Sequence, residues 1–169
     1  MSISRAALIL AWCPLLVSPV FGQSQGQAYV AAGPATTGED WTPHLAVGGE
    51  RISSQGLSAG VDAGVLFGRT GFRPGHPQGQ SYRQYVLSLT GGAHALKSFA
   101  GTPFEPFILG GISVVTDPDC CGPAMAWNLG AGTNVWLNTR VGIRVDARVF
   151  LPFGGEGGLI LARVGMTFR

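Results

Sequence analysis

The chain has few charged residues and almost no lysine. Of its 169 residues 12% are charged, the formal net charge at pH 7 is +2, and Lys97 is the one lysine among eleven basic residues. Basic runs, and basic patches interleaved with aromatic residues, are both missing from the sequence. The composition therefore argues against a nucleic-acid partner.

Long apolar runs are also missing beyond the first 22 residues. No later segment approaches the ~20 apolar residues of a membrane-spanning helix. The mean hydropathy is nevertheless +0.27, which is high for a secreted soluble domain. Strands that turn every second side chain toward lipid would explain this combination, because no segment then becomes continuously apolar.

Residues 1–22 have the pattern of a secretory signal peptide. Arg5 supplies a short basic start, residues 6–20 form an apolar core, and small residues precede a cleavage point after Gly22. A membrane anchor is the alternative, but the core is short and contains two prolines. A bulky tryptophan before Cys13 argues against lipoprotein processing. We expect residues 23–169 to form one mature domain.

Residues 140–150 predict a β-strand with one apolar and one charged face. Side chains alternate across a strand, and here one face receives Val141, Ile143, Val145, Ala147 and Val149. The opposite face receives Gly142, Arg144, Asp146 and Arg148. The alternation fits a sheet with water on one side, or a barrel with lipid outside and charge inside.

Eight segments of this kind follow one another, separated by polar, Gly-rich or Pro-rich connections. We assign them to residues 25–32, 43–53, 55–68, 81–93, 104–116, 124–137, 140–151 and 158–168. Even spacing of short strands without helical periodicity favours an all-β barrel or sandwich. The first segment is too uniform to be oriented.

The lengths of the connections help to choose between these folds. Residues 53–55 and 138–139 form short turns, whereas residues 33–42, 69–80, 117–123 and 152–157 form longer loops. The connection 94–103 is long for the short set. Outer-membrane barrels alternate short periplasmic turns with longer external loops.

Other segments share the alternation of residues 140–150, so the polar faces can meet inside one barrel. The polar set then forms a charge network in the lumen: Glu50, Asp62, Glu105, Arg144, Asp146, Arg148 and Arg163. Buried charges persist when they are paired and hydrogen-bonded, and opposite signs in one lumen meet that requirement. We expect these side chains to plug the barrel; a solvated pore lining is the alternative.

The chain resembles the small outer-membrane β-barrel family (OmpA/OmpX-like). The resemblance rests on the signal peptide, an opening strand around Tyr29, the eight alternating segments and a last strand at 162–168, and it covers nearly all of the mature chain. It implies an eight-stranded antiparallel up-and-down transmembrane barrel in the bacterial outer membrane, in contact with lipid and lipopolysaccharide. Family members commonly end in an aromatic residue that the barrel-assembly machinery reads. Here Arg169 follows Phe168.

Cys120 and Cys121 are the only cysteines of the mature chain. In an oxidising compartment, adjacent cysteines can form a strained vicinal disulfide or pair with another chain. Without nearby histidines, two sulfurs make a poor metal site. We favour a loop staple or an incidental pair, and expect no metal and no cofactor.

Lipid-modifying chemistry would require a histidine and a serine near the outer leaflet. Asp40 and His44 lie near the first long connection and Ser81 follows the second, but no His-x-Ser motif is present. We interpret these residues, with His76 and His94, as solvated loop residues and expect no catalytic site. Five aromatic residues fit interfacial belts or ordinary barrel packing: Trp41, Tyr82, Tyr85, Trp127 and Trp136.

The sequence thus predicts an outer-membrane barrel with a structural or surface-interaction role. A small pore for ions or solutes is the main alternative. A lipid-modifying barrel enzyme and a soluble lipocalin-like carrier are further ones, and the carrier would need apolar residues inside and charges outside. The partners of the loops are not encoded in any motif.

Overall fold

The structure, a computed structural model, describes residues 24–38, 41–68, 82–95, 103–117, 121–154 and 157–169. Eight β-strands account for most of these residues. They are β1 (Ser24–Thr36), β2 (Trp41–Ser53), β3 (Leu57–Gly68), β4 (Tyr82–His94), β5 (Phe104–Asp117), β6 (Cys121–Trp136), β7 (Val141–Pro152) and β8 (Leu159–Phe168).

The strands form one closed barrel in the order of the sequence. Every neighbouring pair is antiparallel, and β1 pairs with β8 to close the sheet, with Val30 opposite Met166. Closure removes the free edges that an open sheet would expose. The predicted eight-stranded antiparallel up-and-down barrel is confirmed. None of the described residues forms a helix long and apolar enough to cross a membrane.

The two ends of the barrel are formed by different connections. The turn end carries the connections 54–56, 95–103 and 137–140, together with the start of β1 and the end of β8. The loop end carries the connections 37–40, 69–81, 118–120 and 153–158.

The predicted alternation between short and long connections is wrong at two places. The predicted loop 33–42 is largely strand, because β1 continues to Thr36 and β2 begins at Trp41. The predicted loop 117–123 is also largely strand, because β5 ends at Asp117 and β6 begins at Cys121. Residues with weak strand preference, including prolines, pair here because the neighbouring strands extend the ladder past them.

The outer face of the barrel is apolar. Alternate residues of every strand point outward and are exposed, as Leu45, Leu89, Ile108, Leu129, Val145 and Val164 illustrate. Among the strand residues whose side chains are described, two exposed ones are charged: Arg51 near the turn end and Arg83 near the loop end. The band between these two rims carries no charge on the described outward positions. This orientation is the reverse of that expected for a soluble carrier.

The interior of the barrel has two chemically different halves. The half near the loop end contains an apolar cluster of buried side chains: Ala35, Leu66, Val86, Val115, Ala126, Phe150, Leu159 and Leu161. The half near the turn end and the middle contain buried charges. The apolar cluster was not predicted, although Leu159 and Leu161 share the inward phase of Arg163, and Phe150 shares that of Arg148.

Strand β1, which the sequence left unoriented, turns Gln27, Tyr29 and Ala31 inward. The ring of Tyr29 lies over the backbone of Gly48 on β2, so closely that a Cβ at Gly48 would overlap the ring carbons Cζ and Cε2. A glycine is therefore needed at this point for the tyrosine ring to approach the β2 backbone so closely.

The turn between β2 and β3 also depends on a glycine. Gly56 has a φ of 90° and donates its N–H to the carbonyl of Ser53 at 2.9 Å. Its own carbonyl accepts the N–H of His94 at 2.7 Å, which fastens the turn to the end of β4. The left-handed backbone conformation suits glycine because it has no Cβ.

The pair Gly48 and Gly49 tests the packing of Tyr29. Gly48→Ala is expected to lower the free energy of unfolding by about 1–3 kcal/mol, the usual cost of overpacking. Gly49→Ala is the matched control, because its Cβ would meet the Gln27 carbonyl oxygen at an ordinary 3.4 Å. Urea unfolding of both variants in one detergent measures the difference. Equal stability of the two variants would contradict the proposed contact.

Candidate functional site inside the barrel

All seven residues predicted for the lumen network point into the barrel. They lie on β2 (Glu50), β3 (Asp62), β5 (Glu105), β7 (Arg144, Asp146, Arg148) and β8 (Arg163). Six of these residues are buried and Glu50 is half-buried. The structure brings them together in two groups, a central group around Asp146 and a group near the turn end around Glu105.

Asp146 is the acceptor at the centre of the barrel. Arg163 reaches it with two nitrogens, as Nε donates to Oδ1 at 3.0 Å and Nη2 donates to Oδ2 at 3.1 Å. Arg148 Nε donates at 3.2 Å and Arg144 Nε at 3.3 Å. Three guanidinium groups therefore share one buried carboxylate, so further anions are needed to balance them.

Asp62 supplies one of these anions from the other side of the barrel. It accepts hydrogen bonds from Arg163 Nη1 at 3.0 Å and from the hydroxyl of Tyr29 at 2.8 Å. Arg148 Nη2 lies 3.5 Å from Asp62 and donates to the Tyr29 oxygen at 3.2 Å. These contacts join β1, β3, β7 and β8, including pairs that share no backbone ladder.

Arg144 connects the central group to the turn end. Besides Asp146, it contacts Glu50 on β2, where Nη1 donates to Oε1 at 2.6 Å. Its guanidinium lies between two aromatic rings, 4.2 Å from the centroid of Tyr29 and 4.1 Å from that of Phe107. Cation–π attraction is strongest in desolvated sites such as this one.

Glu105 on β5 has five hydrogen-bonding partners near the turn end. Oε1 accepts from Gln27 at 3.1 Å and from Asn134 at 3.2 Å, and lies 2.9 Å from His94 Nδ1. Oε2 accepts from the indole N–H of Trp136 at 2.9 Å and from Arg169. The Arg169 guanidinium also lies over the Trp136 ring, 3.7 Å from its centroid.

His94 joins the two acidic residues of the turn end. Its Nε2 lies 3.1 Å from Glu50 Oε2, while Nδ1 faces Glu105. The ring also stacks on Phe107 at a centroid distance of 5.2 Å. The network as described contains four arginines, counting Arg169, and four carboxylates, and His94 lies between two of these carboxylates.

Six members of the network were missed from the sequence: Gln27, Tyr29, His94, Asn134, Trp136 and Arg169. The strand phase could have found several of them. Arg169 lies two positions beyond Thr167 and six beyond Arg163, both inward, and Trp136 lies two beyond Asn134. The contacts themselves have no local signal, because the partners are far apart in the sequence.

One sequence interpretation is resolved here and another is wrong. Of the aromatic residues that fitted either an interfacial belt or barrel packing, Trp136 is half-buried inside, whereas Trp41, Tyr85 and Trp127 are exposed on the outer face near the loop end. His44 and His94 were interpreted as solvated loop residues, but both are buried on strands. The phase of each strand turns these side chains inward.

Several predicted features lie outside the described residues. These are the signal peptide, Asp40, His76, Ser81 and Cys120, and the side chains of Tyr82 and Cys121 are likewise not described. Over the ranges that are described, no three histidine, cysteine or acidic side chains are arranged to hold a metal ion. What the interior can do, on its geometry, is to hold strands together through paired charges.

Comparison with known proteins gives the fold a context. Neisserial surface protein A matches with a TM-score of 0.65 and 10% identity, over 88% of this chain and 99% of that chain. The N-terminal β-barrel domain of Pseudomonas aeruginosa OprF matches with a TM-score of 0.59 and 13% identity, over 86% and 98%. The chain has the fold of the small outer-membrane barrels.

The same fold is shared by an enzyme. The outer membrane enzyme PagL matches with a TM-score of 0.53 and 16% identity, over 85% of this chain and 99% of that chain. No protein-family model matches the sequence, and neither does any curated protein. At these identities the likeness establishes the fold, while function has to be argued from the residues.

Arg144 offers a direct test of the network. Arg144→Leu is expected to lower the free energy of unfolding by about 3–5 kcal/mol, because it leaves Glu50 and Asp146 short of a buried partner. Arg51→Leu, which removes an exposed arginine at the turn-end rim, is the control and is expected to cost about 1 kcal/mol or less. Unfolding in detergent or lipid measures both. A neutral Arg144→Leu would show that the buried pairs are not needed for stability.

Proposed function

We propose that this protein is an integral protein of the bacterial outer membrane, with a closed interior and a structural or surface-interaction role. The observation that carries the proposal is the division of charge between the two faces of the barrel. On the described strands the outward positions between Arg51 and Arg83 are uncharged, and the charged side chains inside are paired.

The outer face supports the placement in a membrane. The strands have 10 to 16 residues, enough to cross a hydrocarbon core at a tilt, which takes about 9–11 residues. In water such a continuous apolar surface would be a liability, but in lipid it needs no covering. Exposed Trp41, Tyr85 and Trp127 near the loop end fit the aromatic girdle that lies at a membrane interface.

The filling of the interior favours a plugged barrel and not a pore. Eight strands enclose a space that side chains can fill. Two successive layers occupy it here: the apolar cluster near the loop end, then the paired charges in the middle and at the turn end. An ion would have to pass the apolar side chains and then displace buried ion pairs.

The contacts that we propose for the protein follow from this placement. The apolar band would be covered by outer-membrane lipid, with lipopolysaccharide around the loop-end rim at Arg83. The barrel-assembly machinery would read β8, whose Phe168 is 40% exposed. Arg169 turns inward to Glu105, which leaves the aromatic side chain accessible.

We also propose that the role is non-enzymatic. Among the described residues, both histidines are buried inside the barrel, and Ser88 and Ser113 are fully buried and hydrogen-bonded to each other at 2.7 Å. A nucleophile and base that act on lipid would have to reach the outer surface. The fold shared with PagL does not supply them.

Placement in a membrane can be tested with one charge at two depths. Leu129 and Leu57 are similarly exposed, at 57% and 56%, but Leu129 is central on β6 and Leu57 begins β3 at the turn end. Leu129→Arg is expected to destabilise the barrel in lipid vesicles by about 2–4 kcal/mol, and Leu57→Arg by about 0–1 kcal/mol. Urea-dependent folding into vesicles, followed by tryptophan fluorescence, measures both. Equal destabilisation by the two substitutions would argue against a barrel that spans the membrane.

Conductance in planar bilayers decides between plug and pore. The wild-type protein is expected to give no discrete current steps. A variant that hollows the interior, Arg148→Ser combined with Phe150→Ala and Leu161→Ala, is the control and is expected to give steps if it remains folded, which the gel mobility of the unheated protein reports. Regular steps from the wild-type protein would overturn the plugged barrel and favour the pore.

A further inference from the structure

His94 is in an unusual position between two carboxylates. Its Nδ1 lies 2.9 Å from Glu105 and its Nε2 lies 3.1 Å from Glu50. The side chain of His94 is 1% exposed, and those of Glu50 and Glu105 are 8% and 5% exposed. Both ring nitrogens are therefore used, and both partners belong to other strands.

The chemistry of the ring gives this arrangement a consequence. An ionised carboxylate only accepts hydrogen bonds, and a neutral imidazole has one N–H, whereas the imidazolium has two. While both carboxylates are ionised, the two contacts can be made together only when His94 carries both protons. When the ring loses one, one nitrogen presents a lone pair to a carboxylate and that contact becomes repulsive.

Among the described side chains around this site, His94 is the one whose change of protonation would alter the contacts. Glu50 is also held by Arg144 from β7, and Glu105 by Arg169 and by Gln27, Asn134 and Trp136. On β3 the inward positions at this level, Ser58 and Gly60, are uncharged. The carboxylates therefore keep partners when His94 is neutral, and the change stays local.

We propose that protonated His94 is a clamp that fastens β2, β4 and β5 to one another at the turn end, and that the clamp opens when the ring loses a proton. The barrel as a whole stays closed, since the Asp146 group does not involve His94. The consequence is a turn end that is tight at mildly acidic pH and looser above it. This inference goes beyond the proposed function and does not require the barrel to be plugged.

Two backbone amides report on the clamp directly. His94 N–H donates to the Gly56 carbonyl at 2.7 Å and Ala95 N–H to the Pro106 carbonyl at 2.9 Å, both at the turn end. Phe153 N–H, which donates to the Met125 carbonyl at 3.0 Å, is an internal reference at the loop end. Hydrogen exchange by NMR, corrected for intrinsic rates, compares them in the folded protein in micelles.

Between about pH 5 and pH 8, the range in which histidine changes charge, the protection of the His94 and Ala95 amides is expected to fall about tenfold as the pH rises, the effect of losing one charge-assisted hydrogen bond. The Phe153 amide is expected to keep its protection. Nitrogen-15 shifts of the His94 ring are expected to show two protonated nitrogens at the acidic end and one at the other.

Two variants complete the experiment. His94→Gln cannot titrate and is expected to remove the pH dependence, with low protection throughout. His44→Gln is the matched control, since His44 is also buried but its Nδ1 has no hydrogen-bond partner among the described residues, and it is expected to keep the pH dependence.

A neutral His94 ring at the acidic end, unchanged protection across the range, or a pH response that survives in His94→Gln would each overturn the clamp. If His94→Gln does not fold, the ring shifts of the wild-type protein decide.

Discussion

A charged side chain buried inside a narrow barrel is not hydrated, so it must be paired with another side chain. This requirement determines how the interior of the barrel is arranged. Strand alternation sends side chains either outward, onto a face without described charges between its rims, or inward. Each inward charge then needs a partner of opposite sign within hydrogen-bonding distance. The four arginines and four carboxylates of the interior meet that need almost entirely through one another.

The pairs also give the barrel connections that its backbone cannot supply. Ladder hydrogen bonds join each strand only to its two neighbours. Arg163 on β8 reaches Asp62 on β3, and Gln27 on β1 reaches Glu105 on β5, so both contacts cross the interior. Tyr29 and Phe107 hold the Arg144 guanidinium between them. Such cross-barrel contacts oppose flattening of the barrel cross-section, because displacing one strand would leave a buried charge unpaired.

The interior differs between its two ends, because charged side chains near the turn end give way to apolar packing near the loop end. Near the loop end Phe150, Leu159 and Leu161 pack with other buried apolar side chains, and dispersion and exclusion of water hold that layer together. Near the turn end His94 and Glu105 lie within hydrogen-bonding distance of several partners. The two layers differ in chemistry: the side chains of the apolar cluster have no titratable group, whereas we infer that the second layer responds to the protonation of His94.

Much of the strand pattern could be predicted from the sequence, whereas the contacts inside the barrel could not, and the difference has a physical cause. A period of two is local information, so the residues alone indicated eight strands and placed the seven network residues on their polar faces, and the inward orientation of those faces was an expectation with a soluble carrier as the alternative. The extents of β1 and β6 were underestimated because pairing with a neighbouring strand, and not local preference, carries them through a proline and a glycine each. Which side chains meet depends on barrel closure and on the register between strands, and these place His94 between Glu50 and Glu105 and turn Trp136 and Arg169 toward one carboxylate. The sequence by itself determined which residues of most strands share a face, while only the closed tertiary structure determined which face points inward and which side chains meet, since the contacts cross the barrel between residues distant along the chain.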